Sequence, residues 1–194
     1  MKTIIKKYLI VAFIFGTYIS YAIENSKIFN TVPVKSVKVE FKSVKKGHTL
    51  TLKDESATTI YKEEIQNSGD YSRLFDFTDF KDGLYTTELE KDFEIIIKKL
   101  SINNGLVTYI DEETTKIFKP SIRLEGDLLL ISKITFNKKP LQIMLYYENM
   151  KIHSEKVDGE NLVNRVYKLS NTEKGAYKVV IASDNRNYVK HFRI

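Results

Sequence analysis

The side chains that could bind a metal or move a proton are few in this sequence and widely spaced. The histidines are His48, His153 and His191, and Glu155 lies two positions after His153. A metal site needs several converging ligands at a regular spacing, and one His–Glu pair does not supply them. We therefore expect no metal and no other cofactor.

Three aspartates, Asp76, Asp79 and Asp82, lead into Gly83 and could suggest a calcium loop. An EF-hand loop places its acids at alternate positions and closes with a glutamate. The spacing of three found here does not fit that pattern. Turn-forming aspartates are the simpler interpretation, because aspartate is common in turns.

The paired carboxylates Glu63-Glu64 and Glu112-Glu113 are adjacent in sequence. Adjacent residues of a strand face opposite sides, so neither pair can flank one scissile bond. The sequence also contains neither a Gly-x-Ser-x-Gly elbow nor a phosphate-binding glycine loop. We predict no catalytic residues and a protein that is not an enzyme. A hydrolase that assembles acids from distant strands stays open as an alternative.

The elements that would position any site follow a two-residue period. Val37, Val39 and Phe41 alternate with polar residues, which indicates a strand with one face in the core. Short strands separated by polar turns continue along the chain at intervals typical of a sandwich or barrel. The segment 93–102 is ambiguous, because its apolar spacing also suits a helix. The β-branched run 95–97 favours a strand.

A duplicated unit organises the chain. The stretch 81–89 recurs at 173–181, and residues 60–102 lie over 152–194 without a gap. The apolar alternation is kept as well, although one slip in register would turn every side chain to the other face. Lys116-Ile117-Phe118 also repeats Lys27-Ile28-Phe29. Eight aligned pairs are identical: Ile60/Ile152, Glu63/Glu155, Arg73/Arg165, Gly83/Gly175, Tyr85/Tyr177, Asp92/Asp184, Lys98/Lys190 and Ile102/Ile194.

These patterns predict an all-β fold of two tandem immunoglobulin-like antiparallel β-sandwich units. We place a signal peptide at 1–22, the first unit at 23–113 and the second at 114–194. The polar stretch 111–115 is the candidate linker.

The repeated motif predicts a structural corner formed by Gly83 and Tyr85, and again by Gly175 and Tyr177. A glycine supplies a positive φ angle at the turn into a strand. A tyrosine two residues later resembles the tyrosine corner of immunoglobulin-like sandwiches, in which its hydroxyl bonds to backbone upstream.

Lys98 and Lys190 share strand parity with apolar residues of the last strand in each unit. A lysine pointing inward on a strand can blunt an exposed sheet edge. We therefore predict that both strands lie at edges.

The first 22 residues indicate export. Lys2, Lys6 and Lys7 precede the apolar run 8–19, and Ser20-Tyr21-Ala22 has the form of a signal-peptidase site. The apolar run is shorter than the roughly 20 residues of a membrane-spanning helix. We expect a mature chain that starts near Ile23, has no transmembrane segment, and is exported through the inner membrane to the periplasm, the cell surface or the medium.

Charge and cysteine content narrow the possible partners. The formal net charge is +6, and removing the three lysines of the signal leaves +3. The remaining lysines are interspersed with acids, whereas nucleic-acid binding needs a basic cluster. Cysteine is absent, so packing alone must stabilise the exported chain. We expect a protein or glycan partner at the cell envelope and no nucleic acid.

We predict an exported, non-enzymatic interaction or structural module of the bacterial cell envelope. Carbohydrate binding is the alternative. One ring of Tyr146-Tyr147 must face outward from a one-sided strand. A sugar platform would need at least two coplanar exposed tyrosines on one sheet face, because the chain has no tryptophan.

Several short segments carry a family resemblance: Leu50 to Glu55, Ile60 to Glu63, Phe75 to Phe77, Asp82 to Tyr85, Lys116 to Pro120 and Lys174 to Tyr177. Together they resemble small secreted β-sandwich proteins of flavobacteria and their relatives. The second unit also resembles the C-terminal sorting domains of the type IX secretion route, through Gly175-x-Tyr177 and the basic segment 188–194. It departs from those domains at Lys138-Lys139-Pro140, where they start with Asn-Pro. The resemblance implies secretion and a sandwich fold, and its motifs include no catalytic residue.

Overall fold

The computed structural model describes residues 35–110, 114–136, 138–170 and 173–194. Every regular element in these ranges is a β-strand, and every pairing between strands is antiparallel. The fold is therefore all-β, as the two-residue period predicts. The predicted signal peptide and the segment Lys27-Ile28-Phe29 lie outside the described residues.

The first sandwich contains two sheets. One is the pair β1–β4, and the other has the order β3-β2-β5-β6-β7 with β8 also paired to β6. Its strands are β1 (Ser36–Val44), β2 (Thr49–Lys53), β3 (Thr59–Glu64), β4 (Gly69–Asp76), β5 (Gly83–Glu90), β6 (Glu94–Asn103), β7 (Leu106–Tyr109) and β8 (Thr115–Phe118).

The second sandwich also contains two sheets, in the orders β13-β10-β9 and β12-β11-β14-β15. Its strands are β9 (Ser121–Glu125), β10 (Leu128–Ile134), β11 (Leu141–Tyr147), β12 (Met150–Val157), β13 (Leu162–Lys168), β14 (Ala176–Ser183) and β15 (Arg186–Arg193).

The two sandwiches share one topology, in which β1 to β6 correspond to β10 to β15. In each set of six, the first and fourth strands pair, and the others form the order third–second–fifth–sixth. Crossing between the sheets after the first strand, after the third and again after the fourth gives the Greek-key connection of an immunoglobulin-like sandwich. The chain is thus a tandem immunoglobulin-like β-sandwich.

Each sandwich has its own hydrophobic core. Leu89 of β5 and Ile181 of β14, which are aligned in the repeat, are both 0 % exposed. Each belongs to a different cluster of buried side chains. Burying such a side chain fully is worth about 1.5–3 kcal/mol, so each core supplies a large share of its sandwich's stability.

Strand β6 is buried on both faces where the sequence was ambiguous. Ile96 packs in the first core, while Ile95 and Ile97 point to the other face and are 3 % and 9 % exposed. A strand that is buried on both faces has apolar residues at consecutive positions. This explains why the apolar spacing of the segment also suited a helix.

The prediction that both last strands lie at edges is confirmed for β15 and wrong for β6. Within the described ranges, β15 pairs with β14 alone, whereas β6 lies between β5 and the two strands β7 and β8. The reason is the turn at Asn104 and Gly105, whose φ angles of 51° and 72° fold the chain back onto β6.

Strand β8 follows the predicted boundary between residues 113 and 114, yet it pairs with β6 in the first sandwich. The described residues all belong to one compact unit. The division of the chain at 113/114 stays a prediction.

Candidate functional site

The two corner tyrosines occupy equivalent places at the start of β5 and β14. The Tyr85 hydroxyl donates to Lys81 O at 2.9 Å, and the Tyr177 hydroxyl donates to Glu173 O at 2.9 Å. Both rings are buried, at 7 % and 2 % exposure. A buried ring whose hydroxyl bonds to backbone four residues upstream has the geometry of a tyrosine corner. Burial first, with nearby acids contributing, raises the pKa of both hydroxyls.

The two corner glycines are required for different reasons, which corrects the expectation that both adopt a positive φ angle. Gly83 has φ of +151°, a conformation that side-chain-bearing residues rarely adopt. Gly175 lacks a positive φ. A Cβ at Gly175 would lie 2.8 Å from Tyr147 Cε2 and 2.5 Å from Glu148 Oε1, so this glycine provides space for a neighbouring side chain.

A carboxylate cluster joins the two sheets of the second sandwich. Glu155 of β12 accepts from Arg165 Nε at 2.6 Å and from the Tyr167 hydroxyl at 2.6 Å, and both donors lie on β13. Glu160 accepts from Arg165 Nη2 at 2.7 Å. Since β12 and β13 are edge strands of opposite sheets, the cluster closes one open side of the sandwich.

The first sandwich carries the equivalent cluster with a looser ion pair. Glu63 accepts from the hydroxyls of Tyr61 and Tyr71, the latter at 2.7 Å. Arg73 Nη1 lies 3.8 Å from Glu63 Oε2. The tyrosine hydroxyls lower the pKa of Glu63, and Tyr167 followed by Arg165 lowers the pKa of Glu155. The same Glu and Arg recur in both copies of the repeat because they make contacts between the two sheets. The alternation of apolar and polar residues along a strand does not reveal such contacts.

The aligned lysines Lys98 and Lys190 close the opposite side of each sandwich. Lys98 Nζ donates to Glu40 O of β1 at 2.8 Å, and Lys190 Nζ donates to Ile122 O of β9 at 2.6 Å. We call these two residues the bridging lysines. In both sandwiches the lysine side chain extends across to the other sheet and donates to a backbone carbonyl there.

The outer face of the first sandwich's larger sheet meets the turn between β14 and β15. Glu88 of β5 accepts from Lys53 Nζ at 2.7 Å and from Arg186 Nη2 at 2.6 Å. Burial would raise the pKa of Glu88, but the hydrogen bonds from Lys53 and Arg186 outweigh that effect and lower it. Arg186 thereby links the second sandwich to the first.

A buried lysine makes a second link nearby. Lys133, at the end of β10, is 2 % exposed. Its Nζ lies 2.7 Å from Phe118 O and 2.9 Å from Asp184 Oδ2. Burial opposes ionisation of Asp184, yet the hydrogen bond from Lys133 holds its pKa below the usual range. Because Phe118 ends β8, this contact attaches the second sandwich to the strand that extends the first.

Two open clefts flank these links. One has a volume of 640 Å³ and includes Phe118, Phe136, Arg186 and Asn187 in its wall. The other has a volume of 480 Å³ and includes Glu88 and Arg186. Arg186, which borders both clefts, pairs with Glu88 across the junction, so this contact holds the two sandwiches together.

The three histidines lie on different elements, His48 before β2, His153 on β12 and His191 on β15. His48 is 5 % exposed and its Nδ1 accepts from Lys45 N at 3.1 Å. His153 Nε2 lies 4.0 Å from Glu155 Oε2, and His191 is exposed on β15. Across the described ranges, the structure contains no group of three or more His, Asp or Glu side chains that could hold a metal ion.

Two of the three aspartates before Gly83 cap turns. Asp76 Oδ1 accepts from Thr78 N at 2.9 Å, and Asp82 Oδ2 accepts from Asn104 N at 2.8 Å. These contacts satisfy backbone donors at the corner and at the following hairpin.

The Tyr146-Tyr147 pair divides between the two faces of β11. Tyr147 packs against Tyr177 with ring centroids 4.9 Å apart, and Tyr146 points to the outer face. Lys178 Nζ lies 4.4 Å from the centroid of the Tyr146 ring. The described residues of this face thus offer one tyrosine, already covered by a cation, where a sugar platform requires two.

Comparisons with known proteins give no family and only distant structural likenesses. No family model matches, and no curated protein matches. Among solved structures, the chain is similar to the BSP domain of a biofilm-associated protein, with 11 % identity and a TM-score of 0.29 over 81 % of this chain. The chain spans 27 % of that structure's length.

Two animal structures are similar at the same level. The human OSCAR ligand-binding domain is 10 % identical with a TM-score of 0.25, covering 84 % of this chain and 91 % of its own. The amphioxus IgVJ-C2 molecule is 10 % identical with a TM-score of 0.21, covering 81 % and 95 % respectively. At these scores the fold class rests on the strand order and register given above.

Proposed function

We propose that this chain is an exported, non-enzymatic interaction or structural module of the bacterial cell envelope. The observation that supports the proposal is that the repeated polar residues bond to other residues of their own sandwich. The glutamate–arginine pairs, the bridging lysines and the corner tyrosines are the duplicated side chains best suited to chemistry. Each contacts a partner within its own sandwich.

The cellular location belongs to the same proposal. The basic start, apolar run and Ser20-Tyr21-Ala22 site support export through the inner membrane to the periplasm or the cell surface. In the part of the chain that the structure describes, no helix is long and apolar enough to cross a membrane. The resemblance to flavobacterial secreted proteins and to type IX sorting domains supports the same location. A protein or glycan of the envelope is the partner class.

Cell fractionation with N-terminal sequencing tests this proposal. The expected result is a chain that begins at Ile23 and is found in the periplasm, in the outer membrane or in the medium. An intact chain of 194 residues retained in the inner membrane would contradict it. A variant with Ala22→Arg, which spoils the small residue before the cut, should accumulate unprocessed and serves as the control.

A further inference from the structure

The outer edge of β6, the sixth strand of the first sandwich, is occupied by β7 and β8. Strand β8 pairs with the first half of β6, with Ile117 opposite Ile95 and Thr115 opposite Ile97. Strand β7 pairs with the second half. The segment Thr115–Phe118 therefore acts as an added strand on a sandwich edge.

The corresponding edge of the second sandwich is the outer edge of β15. Gly175 and Ile194 exchange backbone hydrogen bonds, so every second residue of β15 counted back from Ile194 bonds to β14. The backbone groups of the residues between them face away from the sheet. These residues are Asn187, Val189, His191 and Arg193. Within the described ranges, β14 is the one strand that pairs with β15.

The bridging lysine leaves this edge open to a further strand. Lys190 binds Ile122 O on the other sheet, just as Lys98 binds Glu40 O. In the first sandwich that contact coexists with β7 and β8 on the outer edge of β6. The same contact in the second sandwich is therefore compatible with strand addition.

A second copy of the β8 sequence lies ahead of the first sandwich. Lys27-Ile28-Phe29 repeats Lys116-Ile117-Phe118 of β8 and precedes its sandwich as β8 precedes the second. In the chain, β8 binds the last strand of the sandwich before it. By the same logic, Lys27-Ile28-Phe29 would bind the sixth strand of a sandwich, and the outer edge of β15 in a second copy of this chain offers that strand.

We propose that copies of this chain associate head to tail, with residues 24–29 of one copy adding as an antiparallel strand to the outer edge of β15 in the next. Transferring the β8 register places Ile28 opposite Asn187 and Ser26 opposite Val189. Main-chain hydrogen bonds to the exposed edge supply the affinity, as in other cases of strand addition. The contact is heterologous, so it generates an open chain of molecules or a closed ring.

Charge favours this occupant over pairing of β15 with another β15. The strand carries Arg186, Lys190 and Arg193 and no acid, and antiparallel self-pairing would bring like charges together. The transferred register places Glu24 opposite His191. The 640 Å³ cleft also borders Arg186 and Asn187, which leaves space beside the first residues of β15 for the Phe29 side chain.

The inference deepens the proposed function by naming a second copy as the partner, and it is tested with two complementary variants. Val189→Pro removes an outward N–H from β15 while leaving the bonds to β14. Ile28→Pro removes a backbone donor from the added strand. The molar mass of the chain beginning at Ile23 is measured by light scattering after size exclusion at increasing concentration.

The expected results differ for each sample. The unmodified chain should exceed the mass of two copies as its concentration rises. Each variant alone should remain at one copy, while an equimolar mixture should reach two copies and no more. The mixture keeps one intact edge and one intact strand, so its recovery also shows that both variants fold. Val189→Thr and Ile28→Val keep the backbone N–H groups and should behave like the unmodified chain.

Two outcomes would overturn the inference. One is an unmodified chain that stays at one copy at every concentration, in which case the β15 edge is left for a strand of another protein. The other is an oligomer that both proline variants still form. A monomeric chain that is nevertheless processed and exported would leave the proposed function standing, which separates the two failures.

Discussion

A residue that recurs in a duplicated chain is often sought in an active site, yet here recurrence follows from architecture. The Gly-x-Tyr motif places a buried ring at the same corner of each sandwich and fixes it by one hydrogen bond. Within the motif the tyrosine keeps one role in both copies. The glycine does not, because backbone angle matters at Gly83 and free space matters at Gly175.

The first prediction concerns the corner hydroxyls. Tyr85→Phe and Tyr177→Phe should each lower the free energy of unfolding by about 1 kcal/mol, the usual net value of one intramolecular hydrogen bond. Denaturant unfolding of the purified chain measures the change. Tyr146→Phe is the matched control, since its hydroxyl contacts Met144 Sδ at 3.7 Å, and it should shift stability by less than about 0.5 kcal/mol. Equal losses for all three variants would contradict the assignment.

The second prediction separates the two glycines. Gly83→Ala and Gly175→Ala should both destabilise the chain, the first by about 1–3 kcal/mol through backbone strain. Only the second should be coupled to its neighbour. In a double-mutant cycle, Tyr147→Leu should relieve part of the cost at Gly175, because the alanine Cβ would meet the Tyr147 ring. The same Tyr147 change should leave the cost at Gly83 unaltered, and coupling there would count against this distinction.

At the scale of the element, side chains close the open flanks of each sandwich. The carboxylate clusters at Glu63 and Glu155 join the edge strands on one flank, and the bridging lysines join β6 to β1 and β15 to β9 on the other. Three outward carbonyls of β1 also accept side-chain donors, from Tyr109, Lys98 and Lys91. Such contacts satisfy edge groups that would otherwise pair with another chain.

The third prediction is an acid-dependent loss of stability through Glu155. Its pKa in the folded chain is lowered from 4.5 by Tyr167 and Arg165. A depressed carboxylate pKa stabilises the fold fully above the ordinary value, and that contribution is lost as pH falls through the folded pKa. The free energy of unfolding of the unmodified chain should therefore fall more steeply below pH 4.5 than that of Glu155→Gln.

Exposed acids provide the control for that experiment. Glu125→Gln removes a carboxylate whose side chain is 59 % exposed, and its pH profile should follow the unmodified chain. Parallel profiles for all three proteins would show that the Glu155 cluster makes no linked contribution to stability.

Strand positions were largely predictable from alternation, but most strand neighbours were not; the exception is the return of β7 onto β6, which the Asn104-Gly105 turn predicts. Period two locates β1, β2, β5 and β14, since each has one buried face. It does not reveal that β6 is interior, because the returning strand β7 depends on a turn and β8 on a segment beyond the polar break. The segment 121–125, strand β9, also alternates, since Ile122 and Leu124 are half-buried between exposed polar residues, and it pairs with β10.

At the scale of the whole molecule, the junction between the sandwiches was the least predictable feature. Lys133 aligns with Phe41, a core residue of the first sandwich, and nothing in the sequence shows that it replaces a ring by an internal ion pair. Arg186 and Glu88 are far apart in sequence, yet they meet across the junction. The contact between Arg186 and Glu88 depends on the docking of complete sandwiches, which no local pattern encodes.

The final prediction addresses the buried lysine beside that junction. Lys133→Met retains the length of the side chain but removes the cation bonded to Asp184, whose side chain is 13 % exposed. Removing one partner of a buried ion pair costs about 3–5 kcal/mol, because the other charge stays desolvated. The double variant Lys133→Met with Asp184→Asn should therefore be more stable than the sum of the single losses implies, as measured by denaturant unfolding. Lys156→Met, which breaks the exposed pair with Asp158, should cost no more than about 1 kcal/mol. If Lys133→Met costs as little as Lys156→Met, the buried pair does not stabilise the folded chain.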